Sequence, residues 1–169
     1  SGFTGDLRIP ETIKDIYSHT FYDCSGLNGS LVLHDGLSLH GGAIFSCCGF
    51  QGELVLPSNL MSIPSECFKY NNFTSIAGFP DSLLDIGSEA VDACQRLMGV
   101  LEFPESLVSL GVGAFSGCRQ LQGIILPSSL CIIPHYAFSN CFQLNKIVCK
   151  SSIPPMVQEG AFNGVAKDN

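Results

Sequence analysis

The chain has 169 residues, enough for one domain with a real core or for a single elongated module. Apolar residues make up 46 % and charged residues 14 %, which excludes a disordered polypeptide, and no apolar run reaches the roughly eighteen residues a membrane helix needs. A net charge of −7 with no cluster of Lys or Arg argues against nucleic acid and membrane as partners.

No basic segment followed by an apolar stretch opens the chain, so a secretion signal is expected to have been removed or never present. The dominant pattern is a repeat. Phe21, Phe45, Phe68, Phe115, Phe138 and Phe162 form a comb, with Val91 in the missing place and intervals of 24, 23, 23, 24, 23 and 24 residues. Eleven residues before it run Pro10, Pro57, Pro80, Pro104 and Pro127, with His34 in the gap and Lys150 one step off register. Three residues after it run Cys24, Cys48, Cys94, Cys118 and Cys141, with Asn71 and Val165 as departures. Seven units follow, at about 3–26, 27–49, 50–72, 73–96, 97–120, 121–143 and a degenerate 144–165, in a single domain over 1–169.

Within a unit, Leu121–Leu126 alternates like a short strand, with Ile124 and Leu126 facing one way and Ile125 the other. Pro127 has no N–H for a ladder and ends it. Leu130 and Ile133 form a second apolar pair on an extended edge, and Ala137-Phe138-x-x-Cys141 reads as one short helical turn. No unit of this size buries its own Leu, Ile and Phe residues, so neighbours must stack into a solenoid. The expected sheet is parallel with one strand per coil, giving a rod of roughly 30–35 Å. In chain order its inward pairs are Leu7/Ile9, Leu31/Leu33, Leu54/Leu56, Ala77/Phe79, Leu101/Phe103, Ile124/Leu126 and Ile147/Cys149.

Three coils depart from the pattern. In the second, His34, Asp35 and His40 lie close together; they read either as divalent-metal ligands or, as expected here, as a local shift. In that shift Leu39 replaces the missing Ile and His40 hydrogen-bonds a corner. The fourth coil lacks its Phe and carries good helix formers around Val91, which predicts the longest helical turn there, with Ser88 as its cap. The last coil, with its extra residue and Pro154-Pro155, looks like a cap. The first coil has no comparable cap, because Phe3 already enters the first strand. That edge is a place for self-association or a partner.

The pattern Leu-x-x-Ile-x-Leu-Pro-x-Ser-Leu-x-x-Ile-x-x-x-Ala-Phe-x-x-Cys resembles the BspA-like leucine-rich repeat of surface proteins from bacteria and some protozoa. The resemblance implies an α/β, right-handed leucine-rich-repeat solenoid of about seven coils, with a parallel sheet on one face and short helical turns opposite. It also implies an extracellular or cell-surface protein, and it transfers no binding residue, because the shared motif is structural.

Five of the nine Cys occupy one repeat position, where stacked Cβ vectors run parallel rather than toward each other. Buried thiols packed on the Phe row, with weak S–H bonds to corner carbonyls, are expected there rather than disulfides. The chain carries no nucleophile elbow, phosphate loop or zinc-protease motif, so neither enzyme activity nor a cofactor or metal is expected. The acids that follow the Pro position read as solvated corners.

The outward strand positions are more informative. Val32, Val55, Ile76, Val100, Ile125 and Val148 are β-branched aliphatics where polar residues would serve. Strand propensity alone suits them, and so does a docking face for a protein or peptide, oriented by Asp6 and Arg8 at one end and Lys146 at the other. The expected function is a non-enzymatic protein-binding or adhesion module, probable alternatives being reduced to one: a spacer segment of a longer repeat array.

Overall fold

The structure, a computed structural model, describes residues 3–165. Each coil contributes two short strands. The first coils supply β1 (Leu7–Arg8), β2 (Asp15–Ile16), β3 (Leu31–Val32) and β4 (Ser38–Leu39). Next come β5 (Gln51–Leu54), β6 (Ser62–Ile63), β7 (Asn72–Ile76) and β8 (Asp85–Ile86). The last three coils hold β9 (Gly99–Glu102), β10 (Ser109–Leu110), β11 (Leu121–Leu126), β12 (Ile132–Ile133), β13 (Lys146–Cys149) and β14 (Met156–Val157). All pairing is parallel and joins neighbouring coils. The odd-numbered strands form one row, paired as β1-β3, β5-β7 and β9-β11-β13. The even-numbered strands form a second, paired as β2-β4, β6-β8-β10 and β12-β14. The expected single strand per coil is therefore corrected to two, because the short edge after the Pro corner also finds a partner in the next coil.

The third side contains no helix among the described residues, and the longest helical turn expected around Val91 is absent too. The reason is a repeated backbone reversal. Residues two before and two after the comb position have positive φ, as in His19/Asp23, Glu66/Tyr70, Glu89/Ala93 and Tyr136/Asn140, with values of 54–60°. A left-handed residue at every fourth position interrupts a right-handed helix. It also alternates the peptide planes. The N–H groups of His19, Phe21 and Asp23 donate to the carbonyls of Gly42, Ile44 and Ser46 in the next coil, while those of Tyr22 and Cys24 donate three residues back. This inter-coil ladder repeats along the stack, for example Phe68 to Ala90 and Phe115 to Ala137 at 2.8 Å each. Such φ values cost a non-glycine residue about 1–2 kcal/mol, so the ladder has to hold them. In the fifth coil Gly113 and Gly117 take the same two places without that cost.

Inside the three sides the comb side chains stack. Phe21, Phe45 and Phe68 lie 5.5 and 5.8 Å apart and almost parallel, and Phe115, Phe138 and Phe162 repeat this at 5.7 Å. Where Val91 breaks the column, Phe79 of the same coil meets Phe115 edge-on at 6.4 Å and stacks on Phe103 at 5.0 Å. One continuous core runs through all the coils.

Two further expectations change. In the fourth coil the strand is Asn72–Ile76 rather than a segment holding Ala77 and Phe79. A register shift between Gly52 and Glu53 opposite it skips Thr74, pairs Leu54 with Ile76 and leaves Ala77 exposed. The last coil is not a polar cap. Ile147, Ile153, Met156 and Val157 are all exposed on it.

Phe115 and Phe138 are fully buried between two coils, whereas Phe162 is only partly buried. Phe115→Ala and Phe138→Ala should each lower unfolding stability by about 3–5 kcal/mol, and Phe162→Ala by clearly less. Denaturant titration of the three variants checks this, and equal losses would contradict the stacked column.

Candidate binding surface

The outward residues of the odd-numbered row do not form one stripe. Val55, Val100 and Val148 are exposed, and Val32 and Ile125 are half-buried. Ile76 points inward, because it is in register with fully buried Leu54 and residues in register share a face. Its contact with the core replaces the expected outward position, which passes to Ser75 opposite Glu53. Coils 5–7 bring three of the residues together. Ile125 pairs with Val148 on one side and Glu102 on the other, while Val100 and Lys146 flank Gly123. A Cβ on Gly123 would lie 3.0 Å from Val100 Cγ2 and 3.2 Å from Lys146 Cβ, so its bareness lets these side chains close over the strand.

The ladder is interrupted between β7 and β9, and a groove of about 510 Å³ opens there. Ile76, Phe79, Val100 and Phe103 line it together with Glu102, Glu105 and Lys150. Lys150 reaches back from the last coil over the sixth. Its ammonium donates to Glu102 Oε1 at 2.8 Å and lies 3.5 Å from Glu105 Oε1. The off-register lysine of the sequence pattern thus closes one end of the groove.

Val32 and Val55 sit apart from this patch, in coils 2 and 3. A second apolar stripe lies on the even-numbered row. Met61, Leu84 and Val108 are exposed at one repeat position in three successive coils, joined by Leu84 N–H to Met61 O and Val108 N–H to Leu84 O. Ile132 and its register partner Met156 extend it. The signal was present in the sequence, since the residue after each second-edge Leu (Met61, Leu84, Val108, Cys131) is never polar in coils 3–6.

The corner polar groups mostly tie coils to one another. Asp6 accepts the N–H and hydroxyl of Ser30, and Glu105 accepts the hydroxyl and N–H of Ser128. Asp35 accepts the N–H of Ser58 at 2.7 Å. These serine donors hold all three carboxyls below their usual pKa, so this set is bonded as well as solvated. Lys69 is mostly buried. Burial opposes its charge, yet Glu89, Asp92 and Glu66 around its ammonium raise its pKa above the usual value. Leu39 takes the register place opposite Ile16, and His40 Nε2 meets Asp15 Oδ1 at 2.8 Å with its ring stacked on Tyr17. His34 is held elsewhere, with its ring nitrogens against the carbonyls of Asp35 and Ile13.

All nine thiols are unpaired. Cys48, Cys94, Cys118 and Cys141 each donate an S–H bond to the comb-position carbonyl of the preceding coil, at 3.0–3.3 Å. Asn71 at the same repeat position makes the equivalent bond from Nδ2 to Phe45 O at 2.8 Å, and its Oδ1 accepts the Phe50 N–H. Cys and Asn alternate here because each is a small buried donor aimed back along the stack.

The family model for the BspA type leucine rich repeat region matches in six copies over residues 4–100 and 98–167. The chain belongs to this family. It is similar to a leucine-rich repeat protein from Bacteroides ovatus ATCC 8483, with 30 % identity over 94 % of this chain and a TM-score of 0.74. This chain spans 44 % of that protein's length. A T. pallidum leucine rich repeat protein has 24 % identity and a TM-score of 0.74, over 87 % of this chain and 71 % of the other. A leucine-rich repeat protein from Eubacterium ventriosum ATCC 27560 shares the fold at 14 % identity and a TM-score of 0.51, over 98 % and 66 %. No curated protein matches the sequence. The family is a repeat scaffold, and no enzymatic family is indicated.

Burial pushes the Cys48, Cys94 and Cys141 thiols up to about 12 from an ordinary 9.0, and raises Cys67 and Cys118 as well. These groups stay protonated in the folded chain at pH values where the unfolded chain ionises. Their stabilisation is complete below about pH 9 and is lost as the pH rises toward about 12, at up to about 1.4 kcal/mol per pH unit for each thiol. Stability measured against pH should therefore turn downward above pH 9. At neutral pH a thiol reagent should modify exposed Cys131 in the native chain and reach Cys67, Cys94 and Cys118 only on unfolding.

Proposed function

We propose that this chain is a non-enzymatic protein-binding module that receives a protein or peptide partner on the outward face of the odd-numbered strands. The observation that carries this reading is the patch of coils 5–7. There Val100, Ile125 and Val148 lie beside an open groove whose floor includes Ile76 and whose rim carries Glu102 and Lys150. An exposed apolar group rimmed by charge is the usual anatomy of a docking site. Val32 and Val55 extend the face toward the first coil. Membership of the BspA-type family supports a binding role, and its resemblance to surface adhesins supports an extracellular or cell-surface setting.

Val100 and Val148 are exposed, so Val100→Lys with Val148→Lys should leave the melting temperature within a few degrees of wild type. A displayed library of random peptides, selected on the wild-type chain, supplies the probes. Affinity of the selected peptides should fall by roughly a hundredfold on the double variant, because an interface would have to desolvate two ammonium groups. Unchanged affinity would remove this face as the docking site.

A further inference from the structure

The coil-to-coil contact has a fixed polarity on the turn side. In each coil the N–H groups of the comb residue and of the residues two before and two after it face the carbonyls of the next coil. At the last coil these donors are Gly160, Phe162 and Gly164, and among the described residues none of them has an acceptor. At the first coil the matching acceptors are the carbonyls of Ser18, Thr20 and Tyr22, and no described residue donates to them. Three aligned donors at one end face three aligned carbonyls at the other. Both sets have the spacing that the inner coils already use.

The side chains on the two faces match in the same way. Ile147 and Val157 are in register with buried Ile124 and Ile133, and so point toward the core side, yet they are 47 % and 54 % exposed. Around the first coil an apolar depression of about 410 Å³ is lined by Leu7, Ile13, Tyr17 and Phe21, with Ile9 and Ile16 at its base. Phe162 and Phe21 end the aromatic column, and both are only partly buried. The strand residue preceding Ile147 is Lys146, and the one preceding Leu7 is Asp6, so stacking sets opposite charges together.

We infer that a second copy of this chain docks head to tail, the last coil of one copy stacking on the first coil of the other as an eighth turn of the same solenoid. In this joint Gly160, Phe162 and Gly164 donate to Ser18, Thr20 and Tyr22 of the second copy. Phe162 continues the column onto Phe21, and Lys146 meets Asp6. The contact is heterologous, so each addition leaves the same two faces open and assembly proceeds as linear chains rather than closing at a dimer.

Sedimentation of the full 169-residue chain should show a mass that climbs with concentration. A last-coil variant, Ile147→Lys with Val157→Lys, and a first-coil variant, Ile13→Lys with Tyr17→Lys, should each associate at least about a hundredfold more weakly. All four side chains are exposed, and circular dichroism with thermal melting verifies that both variants fold. Mixed together, the two variants should form a heterodimer that grows no further, since each supplies the face the other lacks. If a lysine pair unfolds the chain, Lys146→Glu replaces it: it should weaken association alone and regain it against an Asp6→Lys copy. A wild-type chain that stays monomeric at every concentration overturns the inference. So do folded variants that still self-associate, or a mixture that yields no heterodimer.

Discussion

The structure depends on the contact between one coil and the next. A turn of about 23 residues encloses too little volume to shield its own aliphatic and aromatic side chains. Each therefore uses its neighbours as the rest of its core. This requires every coil to place its apolar side chains at the same height and its backbone donors opposite the next coil's acceptors. The Phe column meets the first demand and the turn-side ladder the second. Ten non-glycine residues accept left-handed backbone geometry so that the ladder can form.

The corner donors follow from the same constraint. The comb-position carbonyl also faces the following coil, and a buried carbonyl without a donor is costly. Cys48, Cys94, Cys118 and Cys141 supply S–H groups, and Asn71 supplies an amide with one bond to spare for Phe50 N–H. The thiols are therefore structural, and their burial explains both their resistance to ionisation and their poor access to reagents.

Departures from the repeat mark where the surface opens. Skipping Thr74 turns Ile76 inward and breaks the ladder before β9, and the groove of coils 4 and 5 lies at that break. The extra residue of the last coil places Lys150 off register, free to bridge back to Glu102 and Glu105. The binding face proposed for the chain is assembled from these irregularities together with the regular outward valines of coils 5–7.

The sequence by itself determined the solenoid, the number of coils, the first-strand positions in six of them and the Phe column. These are periodic properties, and a period is visible in one dimension. It also marked Val55, Val100 and Val148 as outward, because alternation along a strand settles which face a residue takes. Tertiary structure decided the rest. The turns opposite the sheet looked helical because Ala-Phe-x-x-Cys has helical spacing, and only the neighbouring coil's carbonyls select left-handed residues at Glu89 and Ala93 instead. The inward turn of Ile76 arose from a one-residue slip, which flips every following side chain in the strand yet leaves composition unchanged. The reach of Lys150 across 48 residues to Glu102 was set by how three coils stack, and a linear pattern holds no record of that distance.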